Sequence, residues 1–250
     1  SHEAVALSTI VDDLVLLSKN LGLITQWTKN RTCEMPHTSP VPSYLISRFN
    51  NWKQVKFEES RSWYARLMED GQHPRTMLIS CCDSRLDTVA MFGAEPGDLF
   101  VVRNVANLVP PCAPDQDHHG TSAAVDYAVT ALRVAHILVV GHSNCGGVQA
   151  CHDMCSGAAP ELDETTSFVG RWMDILRPGY ERVKDMHQDR NDALRELEHE
   201  AVRTSVKNLT TFPFVKEAQD AGQLTVHGAW VDIANGKMEL LGKEGVFAEA

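Results

Sequence analysis

The sequence predicts an α/β fold, with a mostly parallel central β-sheet of about four strands plus an antiparallel edge strand, flanked by helices and preceded by an N-terminal helical arm. From residue 71 onward, short apolar runs typical of buried strands alternate with stretches of helical periodicity. This alternation is typical of parallel sheets whose strands are joined by helices. Upstream, residues 44–70 carry aromatic and aliphatic residues spaced among charges, which indicates one or two amphipathic helices.

The strands and helices of this sheet can be placed in order along the chain. The runs predicted to be buried strands are residues 76–80, 99–102, 136–140 and 224–232. The stretches with helical spacing are residues 121–134 and 194–209. In sheets of this kind, functional sites form at the carboxyl ends of the strands. The residues just after these runs are therefore the first candidates for a functional site.

The domain organisation follows from where the composition changes. We expect an N-terminal extension, residues 1–43, and a single domain, residues 44–250, in which residues 44–70 form a helical arm. Within the extension, residues 4–24 have the spacing of an amphipathic helix, and residues 33–43 have the proline and polar content of a linker. The first 30 residues lack the arginines of a transit peptide and show no small-residue cleavage site.

The net charge and the cysteine content limit which partners the protein is expected to bind and in which compartment it is expected to occur. The formal net charge of -10 argues against binding to nucleic acid or to an anionic membrane surface. Asp12, Asp13 and Lys19 interrupt the first apolar run, so we expect no membrane span. The 7 cysteines are irregularly spaced and do not form the pattern of a disulfide framework. We therefore expect an intracellular protein in a reducing compartment, either the cytoplasm or an organelle such as a chloroplast or mitochondrion.

The stretch LVVGHSNCGGVQA, residues 138–150, places His142 and Cys145 where a predicted strand turns into a helix. It nearly matches the G-x-S-x-G turn of serine hydrolases, but Cys145 occupies the fifth position and Ser143 has no evident Asp and His partners by motif. The chain contains no G-x-G-x-x-G or G-x-x-x-x-G-K motif, so dinucleotide and P-loop sites lack their usual carriers.

A metal site has more support from the same residues. Cys81 ends one predicted strand, and His142 and Cys145 follow another. If these parallel strands are neighbours, their ends bring together three ligands that suit tetrahedral zinc. Three protein ligands leave one open position, which is the arrangement of catalytic zinc sites. A single buried Cys or His more often has only a packing role. The presence of three such residues together at predicted strand ends is what favours a metal site.

Asp83 and Arg85 lie beside this candidate site. They are two positions apart, so in an extended segment their side chains point the same way. Such a pair is more often a structural ion pair, but next to a zinc-bound water it has a specific use. An ionised carboxylate only accepts hydrogen bonds, so Asp83 could hold the hydroxide proton and direct the oxygen lone pair at a substrate. Arg85 would keep Asp83 ionised and away from the metal.

Two motifs in the chain resemble those of the β-class carbonic anhydrases. The pattern C-x-D-S-R is present at residues 81–85, and H-S-x-C-G-G is present at residues 142–147. The resemblance extends over residues 44–242, with further similar segments at residues 97–111, 119–129, 205–215 and 222–236.

The resemblance implies a reaction and a set of site residues. It implies that Cys81, His142 and Cys145 bind one Zn²⁺ per chain. It also implies that Asp83 and Arg85 form a catalytic dyad. The reaction implied is the reversible hydration of CO2 to bicarbonate and a proton by attack of zinc-bound hydroxide, which makes the chain a lyase.

Within the family, the residues resemble those of the plant-like subtype. Members of that subtype also use a glutamine from the partner subunit and a small apolar pocket for the substrate. Gln72 falls on the glutamine position, and the residues on the pocket positions are Phe100, Val105, Tyr127 and Gly146. The resemblance therefore implies a homodimer with shared active sites, with a tetramer as the larger alternative.

The regulated bacterial subtype of the family differs at one readable position. It has a bicarbonate pocket with a tryptophan three positions before the first zinc cysteine. Here that position is Leu78, so we expect no such inhibitory pocket. We also expect water, not Asp83, as the fourth zinc ligand.

Alternatives from other functional classes stay open in the sequence. A zinc-stabilised scaffold that has lost catalysis would keep the three ligands, but it would not need Asp83, Arg85 and Gln72, all of which are present. Another zinc hydrolase, or an enzyme like alcohol dehydrogenase, would share the two cysteines and the histidine. The missing dinucleotide glycines speak against the latter.

Several remaining cysteines and histidines have no assigned role. Cys151 and Cys155, with His152 between them, are candidates for a second metal site, and buried or free thiols are the alternative. His118 and His119 are candidate proton shuttles, because histidine titrates near neutral pH.

Overall fold

The computed structural model describes residues 39–113 and 119–250 of the chain. The described part falls into units that divide between Arg61 and Ser62. The helix predicted over residues 4–24 lies outside the described residues.

The first unit contains helix α1, Ser43–Trp52, which begins directly after Pro42 and continues into a π-helical turn, Lys53–Phe57. Aromatic rings line this segment: the Trp52 ring lies 5.7 Å from Phe49 and 5.5 Å from Phe57 between centroids. None of the residues of α1 is buried. Helix α2, Arg61–Asp70, starts at the boundary between the units and is followed by Gly71, whose positive φ of 78° ends the helical path.

The second unit is built on a six-stranded sheet with the strand order β2-β1-β3-β4-β5-β6. The parallel strands are β1 (Thr76–Cys81), β2 (Leu99–Asn104), β3 (His136–His142) and β4 (Thr225–Asp232). The antiparallel strands are β5 (Lys237–Leu241) and β6 (Phe247–Glu249). The predicted mostly parallel sheet is confirmed, and its antiparallel edge consists of a hairpin instead of a single strand.

Helices connect and cover these strands. In chain order they are α3 (Thr88–Met91), α4 (His119–Asp126), α5 (Gly146–Cys155), α6 (Phe168–Met173), α7 (Arg177–Val183), α8 (Arg190–Leu209) and α9 (Pro213–Asp220). Helix α4 ends in a π-helical turn, Tyr127–Ala131. Helix α8, the longest of the described helices, is capped by the Asp189 carboxylate, which accepts the N–H groups of Asn191 and Asp192. Among the described residues, no helix combines the length and apolar character needed to span a bilayer.

The core explains why the central strands are continuous apolar runs. Strands β1 and β3 are covered on both faces, which is usual for parallel strands. One face packs Met77, Ile79 and Val139 against residues of α8 and α9. A separate cluster at the carboxyl ends includes Cys81 and Cys145 with residues of α5, α7 and α8. The candidate ligands are therefore part of a packed interior.

Helix α8 approaches β3 and β4 closely, and glycines make this approach possible. A Cβ atom built on Gly141 would lie 2.6 Å from Val202 Cγ2, and one built on Gly228 would lie 2.7 Å from Val202 Cγ1. Both distances are shorter than real carbon contacts. The pair of glycines therefore sets how near α8 can come to the sheet.

Gly228→Ala is expected to lower the free energy of unfolding by about 1–3 kcal/mol, because the added methyl would press on Val202 and on Leu241. Val202→Ala removes the methyl group nearest to the added Cβ. Gly228→Ala should therefore lower the free energy of unfolding by less in the Val202→Ala background than in the unmodified protein. Chemical denaturation of both single variants and the double variant measures this coupling. Strict additivity of the two costs would contradict the close packing of α8 on β4.

Candidate metal centre

The sheet topology brings together three side chains that could hold a metal ion. Cys81 ends β1 and His142 ends β3, and these strands are parallel neighbours, so both residues lie at the same edge of the sheet. Cys145 immediately precedes α5, after a short turn from β3. One ligand atom from each of the three residues lies within 4.8 Å of the other two, and all three residues are buried.

The hydrogen bonds of His142 leave one ring nitrogen free for a metal. Its Nδ1 lies 2.9 Å from the Ser143 carbonyl oxygen, so Nδ1–H donates to that oxygen. Its Nε2 is buried and has no hydrogen-bond partner in the described part of the chain. A metal-ligating histidine usually anchors one ring nitrogen in this way and turns the other to the metal. Two thiols and one imidazole form a donor set that fits Zn²⁺.

The two thiols strongly affect each other's ionisation. Their sulfur atoms are 3.8 Å apart. Contact with the Cys145 thiol, opposed by burial, lowers the pKa of Cys81 to about 4. The same contact, burial and the charge of Cys81 raise the pKa of Cys145 far above its ordinary value. The first thiolate thus forms easily and the second is disfavoured, which is the electrostatic situation that a bound dication relieves.

Asp83 and Arg85 form a tight ion pair beside the cluster. The Asp83 carboxylate accepts Nη2–H of Arg85 at 2.7 Å, Nε–H at 3.0 Å and the backbone N–H at 2.9 Å. These contacts hold the pKa of Asp83 well below its usual range. The same Nη2 also donates to the Asn144 carbonyl oxygen at 2.9 Å. Arg85 therefore keeps Asp83 ionised and ties it to the turn that carries Cys145.

Arg103 supports the segment after β1 from the neighbouring strand. Its guanidinium donates to the carbonyl oxygens of Cys81 at 3.0 Å, Asp83 at 2.7 Å and Leu86 at 2.7 Å. The planar fork of a guanidinium suits several acceptors at once. Sequence reasoning missed this residue, although an arginine directly after the predicted strand of residues 99–102 was a visible signal.

Glu198 supports the other cysteine from α8. It is buried, and its Oε1 accepts the backbone N–H of Cys145 at 3.1 Å, while its Oε2 accepts the indole N–H of Trp230 at 3.1 Å. Burial raises the pKa of Glu198, and these N–H donors oppose that shift. Sequence reasoning missed this residue as well. The available signal was a glutamate beside Leu197, on the face of the helix that also carries Ala201.

The predicted substrate residues fall into separate groups. Gly146, the first residue of α5, and Val105, which directly follows β2, lie at the edge of the sheet that carries the metal cluster. Phe100 lies near the start of β2, paired with Met77, and its ring centroid is 5.9 Å from that of Tyr127.

Gln72 lies at the far end of the sheet from the cluster. It is exposed and precedes β1, whereas Cys81 is the last residue of that strand. At about 3.3 Å per residue, the strand alone separates its two ends by about 17 Å. A single chain therefore does not bring Gln72, Phe100 and Tyr127 to its own metal cluster.

Comparison with known proteins shows to which family this chain belongs. The family model described as carbonic anhydrase matches residues 76–238. The chain belongs to the carbonic anhydrase family. A curated relative, beta carbonic anhydrase 3 of Arabidopsis thaliana, is 34% identical over 198 residues, which cover 78% of this chain and 75% of that protein. The predicted membership of the β class of carbonic anhydrases, a family of lyases, is confirmed.

Solved β-carbonic anhydrases share the fold of this family member. The structure of CcaA is 29% identical with a TM-score of 0.75, covering 83% of this chain and 91% of that chain. Tetrameric enzymes from the ascomycete Sordaria macrospora are 30% identical with a TM-score of 0.67, covering 80% and 96%. The Coccomyxa enzyme in complex with acetazolamide is 27% identical with a TM-score of 0.68, covering 81% and 87%.

The other thiols in the described part of this carbonic anhydrase family member lie outside the metal cluster. Cys82 is exposed, although the preceding Cys81 is buried, because it lies just past the end of β1, where the covered strand gives way to a loop. Cys151 is buried with its sulfur 3.8 Å from the Met173 carbonyl oxygen, and Cys155 is half-buried. Within residues 39–113 and 119–250, the cluster of Cys81, His142 and Cys145 is the one group of three or more potential metal ligands.

The remaining sequence predictions concern the candidate proton shuttles, His118 and His119, and the candidate second metal site at His152. His118 lies outside the described residues, and His119 is the first residue of α4. His152 contacts the neighbouring Asp153 carboxylate at 3.2 Å. In the described part of the chain, neither His152 nor Asp153 joins Cys151 and Cys155 in a second metal cluster, so the predicted second metal site is not formed there.

Cys145→Ala is expected to abolish stoichiometric metal binding, because it removes one of three converging ligands. Cys151→Ala is the matched control, since it removes an equally buried thiol outside the cluster and should leave metal binding intact. Metal content per chain after dialysis against a weak chelator measures both. Full metal retention by Cys145→Ala would refute the ligand assignment.

Proposed function

We propose that this chain catalyses the reversible hydration of CO2 to bicarbonate and a proton, with one Zn²⁺ per chain held by Cys81, His142 and Cys145. The observation that carries the proposal is the buried cluster of two thiols and one imidazole with the ionised Asp83 held beside it by Arg85. A scaffold role would need the ligands but not this carboxylate. Because the thiols must stay reduced to bind metal, we also propose a reducing compartment, the cytoplasm or an organelle.

The zinc ion and the protein have separate tasks in this proposal. A bound zinc ion would lower the pKa of its water from far above neutrality to about 7, so that hydroxide would be available near neutral pH. His142 Nε2 and the two sulfurs would hold the ion, and the Ser143 carbonyl fixes the orientation of the imidazole.

Asp83 orients the nucleophile. Its carboxylate is ionised and therefore only accepts hydrogen bonds, so it would accept a hydrogen bond from the attacking water or hydroxide and leave an oxygen lone pair directed at the carbon of CO2. Arg85 keeps the carboxylate in place with three hydrogen bonds, so that Asp83 would not compete with water for a bound metal. The backbone N–H of Gly146, at the start of α5, is available to stabilise negative charge on a substrate oxygen.

The apolar pocket for CO2 requires a second copy of the chain. Val105 is near the cluster of its own chain, whereas Gln72, Phe100 and Tyr127 are at the other end of the sheet. We propose a homodimer in which Gln72, Phe100 and Tyr127 of one subunit complete the site of the other, with the Gln72 amide donating to a substrate oxygen. Tetrameric relatives such as those of Sordaria macrospora support assembly beyond the monomer.

Asp83→Asn is expected to retain zinc and to lose about 100-fold or more in kcat/KM for CO2 hydration, because the amide can donate and no longer accepts in a fixed orientation. Asp87→Asn is the control: Asp87 caps α3 through the Ala90 N–H, and asparagine caps equally well. Stopped-flow CO2 hydration and zinc content measure both variants. Undiminished turnover by Asp83→Asn would refute its role, and no turnover by the unmodified protein would favour a scaffold.

Mixing two inactive variants tests whether Gln72 acts across an interface. In a heterodimer of Gln72→Ala and Asp83→Asn subunits, one site combines an intact Asp83 with an intact Gln72 of the other subunit. Co-refolded mixtures should therefore regain CO2 hydration that neither variant has alone. If Gln72 served its own chain, every site in the mixture would carry one defect, and no activity would return.

A further inference from the structure

The carboxylate of Glu198 is a buried charge that the proposed reaction does not use. The residue is 5% exposed and lies on α8, 53 positions along the chain from Cys145. Each of its oxygens accepts one N–H, from the Cys145 backbone and from the Trp230 indole. It touches no cation among the described hydrogen bonds and ion pairs. An isolated buried carboxylate is costly, and an apolar side chain at such a position usually stabilises a fold at least as well.

The Glu198 carboxylate contacts the turn between β3 and α5, whose residues are each fixed by hydrogen bonds or backbone conformation. Ser143 is fixed on both sides, because its N–H donates to Val231 and its hydroxyl accepts the N–H of Ile233. Asn144 has a positive φ of 55°, and its carbonyl accepts the Arg85 guanidinium. The same peptide group carries the Cys145 N–H, which donates to Glu198.

The two charged contacts act on opposite sides of the same turn. Arg85 contacts the Asn144 carbonyl from the side of the Asp83 carboxylate. Glu198 contacts the Cys145 N–H from the side of α8, within the interior. The carbonyl of one residue and the N–H of the next belong to the same peptide unit, so this plane is held at both ends. Its orientation sets the direction in which the Cys145 side chain leaves the backbone.

We propose that Glu198 is a positioning residue of the metal centre: by holding the Cys145 N–H, it directs the Cys145 sulfur toward Cys81 and His142. The inference rests on the metal site of the proposed function but not on its turnover. Glu198 touches neither substrate nor the reacting atoms. Its effect passes through the peptide plane that it shares with the Arg85 contact.

A purely structural role is the alternative, in which Glu198 joins α8 to β4 through the Trp230 indole. The two roles use different hydrogen bonds of the same carboxylate, so they can be separated. Trp230→Phe removes the bond to β4 and leaves the bond to Cys145. Glu198→Gln keeps the size of the side chain but supplies one acceptor and one donor, so one of the two buried N–H groups is left unpaired or faces another donor.

The test compares Glu198→Gln, Trp230→Phe and the double variant by zinc competition with a chromophoric chelator and by the absorption spectrum of the cobalt(II)-loaded protein. Glu198→Gln should lose about 10- to 100-fold in zinc affinity and change the cobalt(II) bands. Trp230→Phe should lower the melting temperature while retaining wild-type zinc affinity and bands. The double variant should recover part of the affinity lost in Glu198→Gln, because the donor that opposes the amide is gone.

Wild-type zinc affinity and cobalt(II) bands in Glu198→Gln would overturn the inference, and so would an equal loss of affinity in Trp230→Phe. If Glu198→Gln does not fold, Glu198→Asp provides the same comparison, since it keeps the charge but shortens the reach by one methylene. Neither measurement depends on catalysis. Absence of CO2 hydration in the unmodified protein would refute the proposed function alone, and unchanged metal binding in the Glu198 variants would refute this inference alone.

Discussion

The parallel pairing of β1 with β3 is the constraint on which the site depends. The register runs from Thr76 opposite His136 to Ser80 opposite Val140, so the two strands end together. A cysteine that ends one strand and a histidine that ends the other are therefore placed side by side. An antiparallel pairing would put them at opposite edges. Both faces of each strand are buried, and a shift by one residue would move every core side chain to the opposite face, so packing on the two faces fixes this register.

The loops that follow these strands are held by charged groups, each satisfied by several partners. Arg103 gathers three carbonyl oxygens of the segment after β1, and Arg85 joins Asp83 to the turn after β3. Glu198 secures the N–H of Cys145 from within the core. Loops without such contacts would let ligand atoms drift, and metal sites lose affinity when their supporting hydrogen bonds are removed. The metal cluster thus sits between a rigid sheet edge and a set of fixed peptide groups.

The predicted substrate residues are divided between the two ends of the sheet, so in the proposed function a single copy holds an incomplete site. The ligands and the Asp83–Arg85 pair lie at the carboxyl edge, while Phe100, Tyr127 and Gln72 lie toward the opposite edge of the same sheet. The length of a strand separates the two groups, and no side chain is long enough to bridge it. In the proposed dimer, catalysis therefore depends on association.

Local patterns in the sequence predicted the fold class, the four parallel strands and the candidate metal ligands of this protein. The four parallel strands follow from apolar runs, and the α/β class follows from their alternation with helices, because both signals depend on neighbouring residues. The motifs at residues 81–85 and 142–147 supplied the candidate ligands and the family, and a match over residues 76–238 confirmed the family. Tertiary structure alone decided which distant groups meet these motifs. Glu198 reaches Cys145, and Arg103 reaches three carbonyls, only because α8 and β2 pack beside the loops, and such contacts leave no periodic signal in the chain.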